Sequence, residues 1–393
     1  MKKVFAFLVL AGLCSTVLFT SPVRSQKKDK IRKNSHKIEN NYIVVLNNEV
    51  VGEQGLYSIA PYIAAEMAGT HGGKLKHVYQ NAINGFAIEM SPEAAERLSD
   101  DFRVAYVEED GVVTADATQS NPPWGLDRID QRSRPLNAIY TFNHTGAGVF
   151  AYVIDTGILT AHTQFGGRAA NVFDAFGGNG QDCNGHGTHV SGTIGGSTYG
   201  VAKSVNLRGV RVLNCSGSGS NSGVIAGVDF VRTNHSNPAV ANMSLGGGAS
   251  SALDTAVNNL SNSGVAIAVA AGNSNTNACN SSPARAANAI TVGATTTTDA
   301  RASFSNFGTC LDIFAPGQGI LSAYATSTTA TATLSGTSMA SPHVAGVAAL
   351  YKQVNPSASS TTVRNAIVNG ATTNVVTNPG TGSPNRLLYS LFF

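Results

Sequence analysis

Charge is scarce in this chain of 393 residues: only 12% are Asp, Glu, Lys or Arg, and the formal net charge is +3. So small an imbalance gives no footprint for nucleic acid. The 42 glycines and 42% hydrophobic residues fit a compact, loop-rich globular protein rather than a disordered or coiled one. Glutamate stops altogether after Glu109. Paired-cysteine C-x2-C spacing is absent, which argues against a four-cysteine zinc site. H-E-x-x-H is absent, against a helix-borne zinc hydrolase, and so is G-x-S-x-G, against the usual serine esterase.

Long apolar runs are also missing, apart from one at the start. "MKK" is followed by the apolar "VFAFLVLAGLCSTVLF" and the small, polar "TSPVRS". At about 16 residues the run is short for a bilayer span of roughly 20. The pattern predicts a secretory signal over 1–25, and Leu13 before Cys14 argues against a lipid anchor. Export makes the other four of the five cysteines, Cys183, Cys215, Cys279 and Cys310, candidates for two disulfides, with three pairings open.

Residues 26–40 are polar and basic and are expected to be a linker. From Tyr42 the pattern predicts strand, helix, two strands about "NAING", a helix capped by Ser91, and a strand ending near "EEDGVV". That β-α-β-β-α-β order implies a small α+β ferredoxin-like domain over 41–116. Composition changes near 115–120. Beyond it, continuous apolar strands ending near Asp155, Asn214, Leu245 and Asn273 alternate with helical stretches. Such strands predict an α/β domain over 117–393, a parallel doubly wound sheet with helices on both faces. Ligands bind beyond the carboxyl ends of such strands, where Asp155, Leu245 and Asn273 fall.

"LSGTSMASPHVAG" (334–346) places Ser338 at the mouth of an apolar helix. A serine hydroxyl needs a base, and the base needs an orienting group. His343 lies about 500° further round the helix, roughly 140° away, so another histidine must serve. "DCNGHGTHVSG" offers His186 between two glycines, with His189 nearby, and "YVIDTGI" offers Asp155 at a strand end.

"VIDTGI", "NGHGTHVSG" and "SGTSMASPHVAG" together resemble the active-site signatures of the subtilases. Asp, then His, then Ser is the subtilisin order. "PPWGLDRIDQR", "GVAKSVNLRGVRVL" and "ARASFSNFGTCLDIFAPG" are similar to the proteinase K subgroup, especially aqualysin-like enzymes, and the likeness runs from about 117 to the C-terminus with no further domain expected. The resemblance implies a secreted serine endopeptidase made as a self-processing zymogen. Ser338 would be its nucleophile, His186 its base, Asp155 the orienting carboxylate and Asn273 an oxyanion donor, with His189 and His343 structural. It further implies a cleft of Gly217, Ser218, Gly219, Ser244, Leu245 and Gly246, and a side-chain pocket of Ala270, Ala271 and Gly272. Those small neutral walls predict a broad preference for apolar or aromatic side chains before the cut. Asn214, where relatives often carry Asp, bears on fine specificity.

The same resemblance pairs Cys183 with Cys215 and Cys279 with Cys310, and implies structural calcium. One site would use Asp312 with the carbonyls of Ala287 and Ala289; a second Asp127, Asp130, Gln131 and Asn137; Asp174 and Asp182 are a third candidate pair. No catalytic cofactor is expected. The 41–116 domain resembles the inhibitory propeptide of the family, with its tail "GVVTADA" blocking the cleft and maturation near Asp116–Ala117. Expected partners are protein and peptide substrates and this propeptide, without nucleic acid or, after signal removal, a membrane; the mature enzyme is expected to be an extracellular monomer, with periplasmic residence left open. Rival readings are a subtilase-fold binding protein without catalysis, a metallohydrolase using His186 and His189, and a serine esterase.

Overall fold

A computed structural model describes residues 30–34, 37–51, 58–112 and 117–393. The signal over 1–25 and residues 113–116 of the propeptide tail lie outside the described residues. The chain divides into two compact units, Met1–Thr114 and Ala115–Phe393.

In the first unit, Lys37–Leu46, Lys74–Tyr79, Gly85–Glu89 and Val104–Gly111 form an antiparallel sheet, with helices Ala60–His71 and Pro92–Ser99 packed on it. The last strand lies beside the first, and the strand Gly85–Glu89 separates the first from Lys74–Tyr79. This is the spatial order of a ferredoxin-like unit. Val44, Leu46, Phe86, Ile88 and Val107 meet Ile63, Met67 and Leu98 in its core. Ser91 caps the second helix by accepting from the Ala94 N–H at 3.3 Å. The expected linker over 26–40 is corrected in part. Ile31–Arg32 forms a strand parallel to Val104–Gly111, and the next strand already begins at Lys37. Charge explains this: the Lys30 ammonium donates to the carbonyls of Asp101 (3.1 Å) and Val104 (2.6 Å), and the Asn34 N–H donates to Glu109 Oε2 at 3.0 Å.

The second unit is built on seven parallel strands. Across the sheet they run Ala169–Asp174, Asn206–Arg211, Phe150–Asp155, Ala239–Met243, Ala266–Ala270, Ile290–Thr295 and Ile313–Pro316, with two short strands beyond. The pleat sends alternate residues to opposite faces. Ala151 and Val153 pack with Val190, Ile194, Val344 and Val347, whereas Tyr152 and Ile154 pack with Val224, Val228, Leu253 and Val257. Helices His186–Gly195 and Thr337–Val354 therefore cover one face, and Asn221–Asn234 and Ser251–Asn262 the other. From Phe150–Asp155 the chain moves outward, returns to Asn206–Arg211, then crosses to Ala239–Met243 on the opposite side. The connection direction reverses there, so a crevice opens at the carboxyl ends of these strands. Asp155 and Ser244 stand on its two sides.

Candidate active site

Asp155 ends its strand fully buried. His186 opens the next helix on that face, and its Nδ1–H donates to Asp155 Oδ1 at 2.7 Å. The glycines flanking His186 each have a steric reason. Gly185 takes φ +107°, and a Cβ there would strike the Tyr324 ring; one on Gly187 would strike the Gly157 carbonyl. Burial pulls the His186 imidazole down, but the Asp155 charge and hydrogen bond outweigh it and leave the pKa raised.

Asp182 fastens the two elements together. Its carboxylate accepts from the N–H groups of Asn184 (2.9 Å), Gly185 (2.8 Å) and Thr188 (2.9 Å) and from the hydroxyls of Thr156 (2.8 Å) and Thr188 (2.6 Å). Asp174 likewise accepts from the N–H groups of Phe176 and Gly180 and from Arg211. Both carboxylates of the third pair considered for calcium thus already meet protein donors, as those of Asp127 and Asp312 also do.

Ser338 is the second residue of its helix, so its N–H belongs to the first turn, where no intrahelical acceptor exists. Its hydroxyl donates to the Ser244 carbonyl at 3.1 Å. Pro342 lacks the N–H that would bond the carbonyl four residues back, that of Ser338. The Ser244 hydroxyl takes that place at 2.7 Å, and is itself bonded by Asn242 Nδ2 at 2.9 Å, while Ser341 donates to Asn242 Oδ1 at 2.7 Å.

Asn273 stands just past the Ala266–Ala270 strand. Its Oδ1 accepts from the Thr337 N–H and hydroxyl, both at 2.8 Å. A backbone N–H can only donate, so this contact fixes the amide's orientation and leaves Nδ2 on the open side. His189 and His343 are elsewhere engaged. Nε2 of His189 donates to the carbonyls of Ile320 (3.0 Å) and Ala332 (3.1 Å), and Nδ1 of His343 donates to Met339 O at 2.8 Å. Burial pushes both rings down to about 4.

Two cavities share the walls Leu245, Gly246 and Gly247, and Ser338 lines the second. One of about 520 Å³ runs from His186 past Ser216–Ser220, Ser244, Leu245 and Gly246 to Leu213, Val224 and Leu253. The other, of about 350 Å³, is lined by Leu245, Gly246, Ala270, Ala271, Gly272, Asn273 and Ser338. The nine cleft and pocket residues taken from the resemblance thus line these two cavities. Leu213, Val224, Leu253, Ala284 and Asn306 line them as well, and were not anticipated. Asn214 organises the cleft edge: its Oδ1 accepts from the N–H groups of Ser216 (3.0 Å) and Ser218 (3.1 Å).

Disulfides join Cys183 to Cys215 and Cys279 to Cys310, with Cα–Cα distances of 4.9 and 5.3 Å. The first ties the His186 loop to the Ser216–Ser220 segment. Among the described residues no three His, Cys, Asp or Glu side chains gather as a metal site. For calcium the test is therefore whether oxygens await a cation. Asp130 Oδ1 and Gln131 Oε1 are buried without hydrogen-bond partners, and burial pushes the Asp130 carboxyl up to about 6. Both suit a hard cation. In the same set Asp127 is bonded by the N–H groups of Asn137 (3.3 Å) and Ala138 (3.0 Å), and Asn137 Oδ1 by that of Ile139 (3.0 Å). Asp312 borders a cavity of about 250 Å³ with Ala287 and Ala289. Its oxygens accept from Arg364 (2.5 Å) and the Thr291 N–H (2.8 Å), yet burial still raises its pKa against the pull of Arg364.

A parallel sheet with a serine at a helix mouth and an imidazole bonded to a buried carboxylate at the strand ends is the framework of a serine hydrolase. The subtilase family matches residues 146–387, and peptidase inhibitor I9 matches residues 23–116. An extracellular serine proteinase of Thermus sp. (strain Rt41A) is 60% identical over 331 residues, covering 84% of this chain and 81% of the relative. Alkaline serine exoprotease A of Vibrio alginolyticus is 57% identical over 333 residues, covering 83% of this chain and 62% of the relative. The crystal structure of a cold-adapted subtilisin-like serine proteinase aligns with a TM-score of 0.68 at 56% identity, covering 69% of this chain and 99% of that one. The chain belongs to the subtilase family: it is a serine-type endopeptidase preceded by an I9 inhibitor domain, and the resemblance drawn from the three motifs is borne out.

Proposed function

We propose that this chain is a secreted, self-processing endopeptidase in which Ser338 forms an acyl-enzyme. Ser338 Oγ attacks the scissile carbonyl carbon while His186 Nε2 takes its proton. Asp155 holds the ring in the tautomer that frees Nε2, and stabilises the imidazolium. The tetrahedral oxyanion is met by the Ser338 N–H, at the positive end of its helix, and by Asn273 Nδ2. As the C–N bond breaks, His186 returns the proton to the leaving amine; a water then repeats the sequence and frees Ser338. The observation that carries this reading is the 2.7 Å Asp155–His186 hydrogen bond, with Ser338 opening the other helix that covers the same face of the sheet.

The cleft segments Gly217–Gly219 and Ser244–Gly246 would hold an extended peptide by main-chain pairing. The neutral pocket of Ala270, Ala271 and Gly272 would take an apolar or aromatic side chain. The I9 domain would inhibit the enzyme until cleavage near Asp116–Ala117, after export directed by residues 1–25. Asp130 and Gln131 with Asp127 and Asn137, and Asp312 with the carbonyls of Ala287 and Ala289, would hold structural calcium. Bound calcium would neutralise these carboxylates and brace the loops that carry them. A serine-directed fluorophosphonate tests the nucleophile: its adduct should map by mass spectrometry to Ser338 and vanish in His186→Ala. An adduct on another residue would overturn the assignment.

A further inference from the structure

The loop that carries Asn273 leaves the sheet at Ala270 and runs on without regular structure. One buried side chain from another loop grips it. Asn306, 1% exposed, lies between the strands Ile290–Thr295 and Ile313–Pro316. Its Nδ2 donates to Ala271 O at 2.8 Å. Its Oδ1 accepts from the N–H groups of Ser274 (3.1 Å) and Thr276 (3.0 Å) and from the Thr276 hydroxyl (3.3 Å). Its own N–H donates to Gly272 O at 2.9 Å. These bonds fall on both sides of Asn273 and none falls on Asn273 itself.

Gly272 shows how closely the two loops are fitted. It takes φ +100°, and a Cβ there would strike Asn306 Nδ2. The backbone therefore turns in the left-handed region directly under the amide that holds it. Thr337 meanwhile fixes the direction of the Asn273 side chain through its Oδ1. Thr337 sets where the amide points and also accepts from the Gly272 N–H at 3.1 Å, while Asn306 supplies the bonds that hold the backbone on both sides of Asn273.

We propose that Asn306 is the positioning residue of the oxyanion site, acting on the transition state through Asn273. The inference rests on the reading of Asn273 as an oxyanion donor. Donors of this kind act only when held within a few tenths of an ångström of the developing charge. Loss of the Asn306 grip should therefore lower kcat; because Asn306 also lines the pocket and holds Ala271 and Gly272, KM should rise as well, and the part of the kcat loss that depends on Asn273 is the part due to positioning.

A double-mutant cycle separates positioning from general support of the fold. Asn306→Asp keeps the acceptors for Ser274 and Thr276 but loses the donor to Ala271 O; Asn306→Ser shortens the side chain out of reach. Each would be placed in the full-length chain alone and with Asn273→Ala, and kcat expressed per fluorophosphonate-titrated serine, so that only folded enzyme counts. In the wild-type background kcat should fall about ten- to hundredfold, the effect of a lost buried hydrogen bond. In the Asn273→Ala background the same changes should cost less than about threefold. Equal losses in both backgrounds, or no loss in either, would overturn the inference and leave the oxyanion reading standing. If Asn273→Ala alone leaves kcat unchanged, the oxyanion reading falls and the inference with it.

Discussion

Ser244 and Ser338 bond each other twice: the Ser244 hydroxyl donates to the Ser338 carbonyl at 2.7 Å, and the Ser338 hydroxyl donates to the Ser244 carbonyl at 3.1 Å. The first bond exists because Pro342 leaves the Ser338 carbonyl without a helical donor. It joins the wall of the cleft to the nucleophile's backbone. Ser244→Ala should lower kcat about tenfold, the effect of about 1.4 kcal/mol, with a smaller change in KM. Pro342→Ala supplies a helical N–H to the orphaned carbonyl and should recover part of that loss in the double variant. Steady-state kinetics on titrated enzyme checks both.

His186 must be neutral to accept the serine proton. Burial lowers its pKa, the Asp155 carboxylate raises it more, and the net shift is upward. Activity should therefore be lost on acidification at a pH above the ordinary imidazole value of about 6.5. Asp155→Asn removes the raising charge and leaves the burial. The acid limb of kcat/KM should move to lower pH, while the rate falls by about 10⁴, as for the corresponding change in a chymotrypsin-type triad. An unmoved limb would mean that Asp155 does not face the base in solution.

Ala284 lines the 350 Å³ pocket and is itself buried. Ala284→Leu takes up part of that pocket's volume. Cleavage after Phe should fall at least tenfold in kcat/KM relative to cleavage after Ala, a cost of the order expected for overpacking a preformed site. A matched pair of chromogenic peptides reads the ratio directly.

Asp130 Oδ1 and Gln131 Oε1 stand buried with no donor to meet them. Calcium at a hundred times its dissociation constant would add about 2.7 kcal/mol to stability. Added calcium should raise the Tm of the wild type, and Asp130→Asn should abolish most of that rise. An equal rise in both proteins would place the stabilising ion elsewhere.

Much of this was legible in the sequence, because the informative signals were local. The strands expected to end near Asp155, Leu245 and Asn273 end at Asp155, Met243 and Ala270, and the glycines about His186 pointed to a helix start there. The groups that orient the site were not legible. Asn306 meets Ala271 and Thr276, and Thr337 meets Asn273, from distant parts of the chain, and polar residues in such loops read as ordinary turns. Asp182 drew attention only as a cation ligand, because a carboxylate looks the same whether a metal or five hydrogen-bond donors will meet it. Residues 31–32 and 37–40 read as linker since their strand pairing depends on partners some seventy positions away.

The central claim is that Ser338 is the nucleophile, both for substrate and for release of the chain's own inhibitor domain. It is tested most directly by expressing the full chain beside Ser338→Ala, following apparent mass and hydrolysis of a chromogenic peptide ending in Phe. The account predicts that the wild type is trimmed to a product beginning near Ala117 and cleaves the peptide, while Ser338→Ala stays folded, untrimmed and inactive. A Ser338→Ala protein that trims itself and hydrolyses the peptide at the wild-type rate would contradict it.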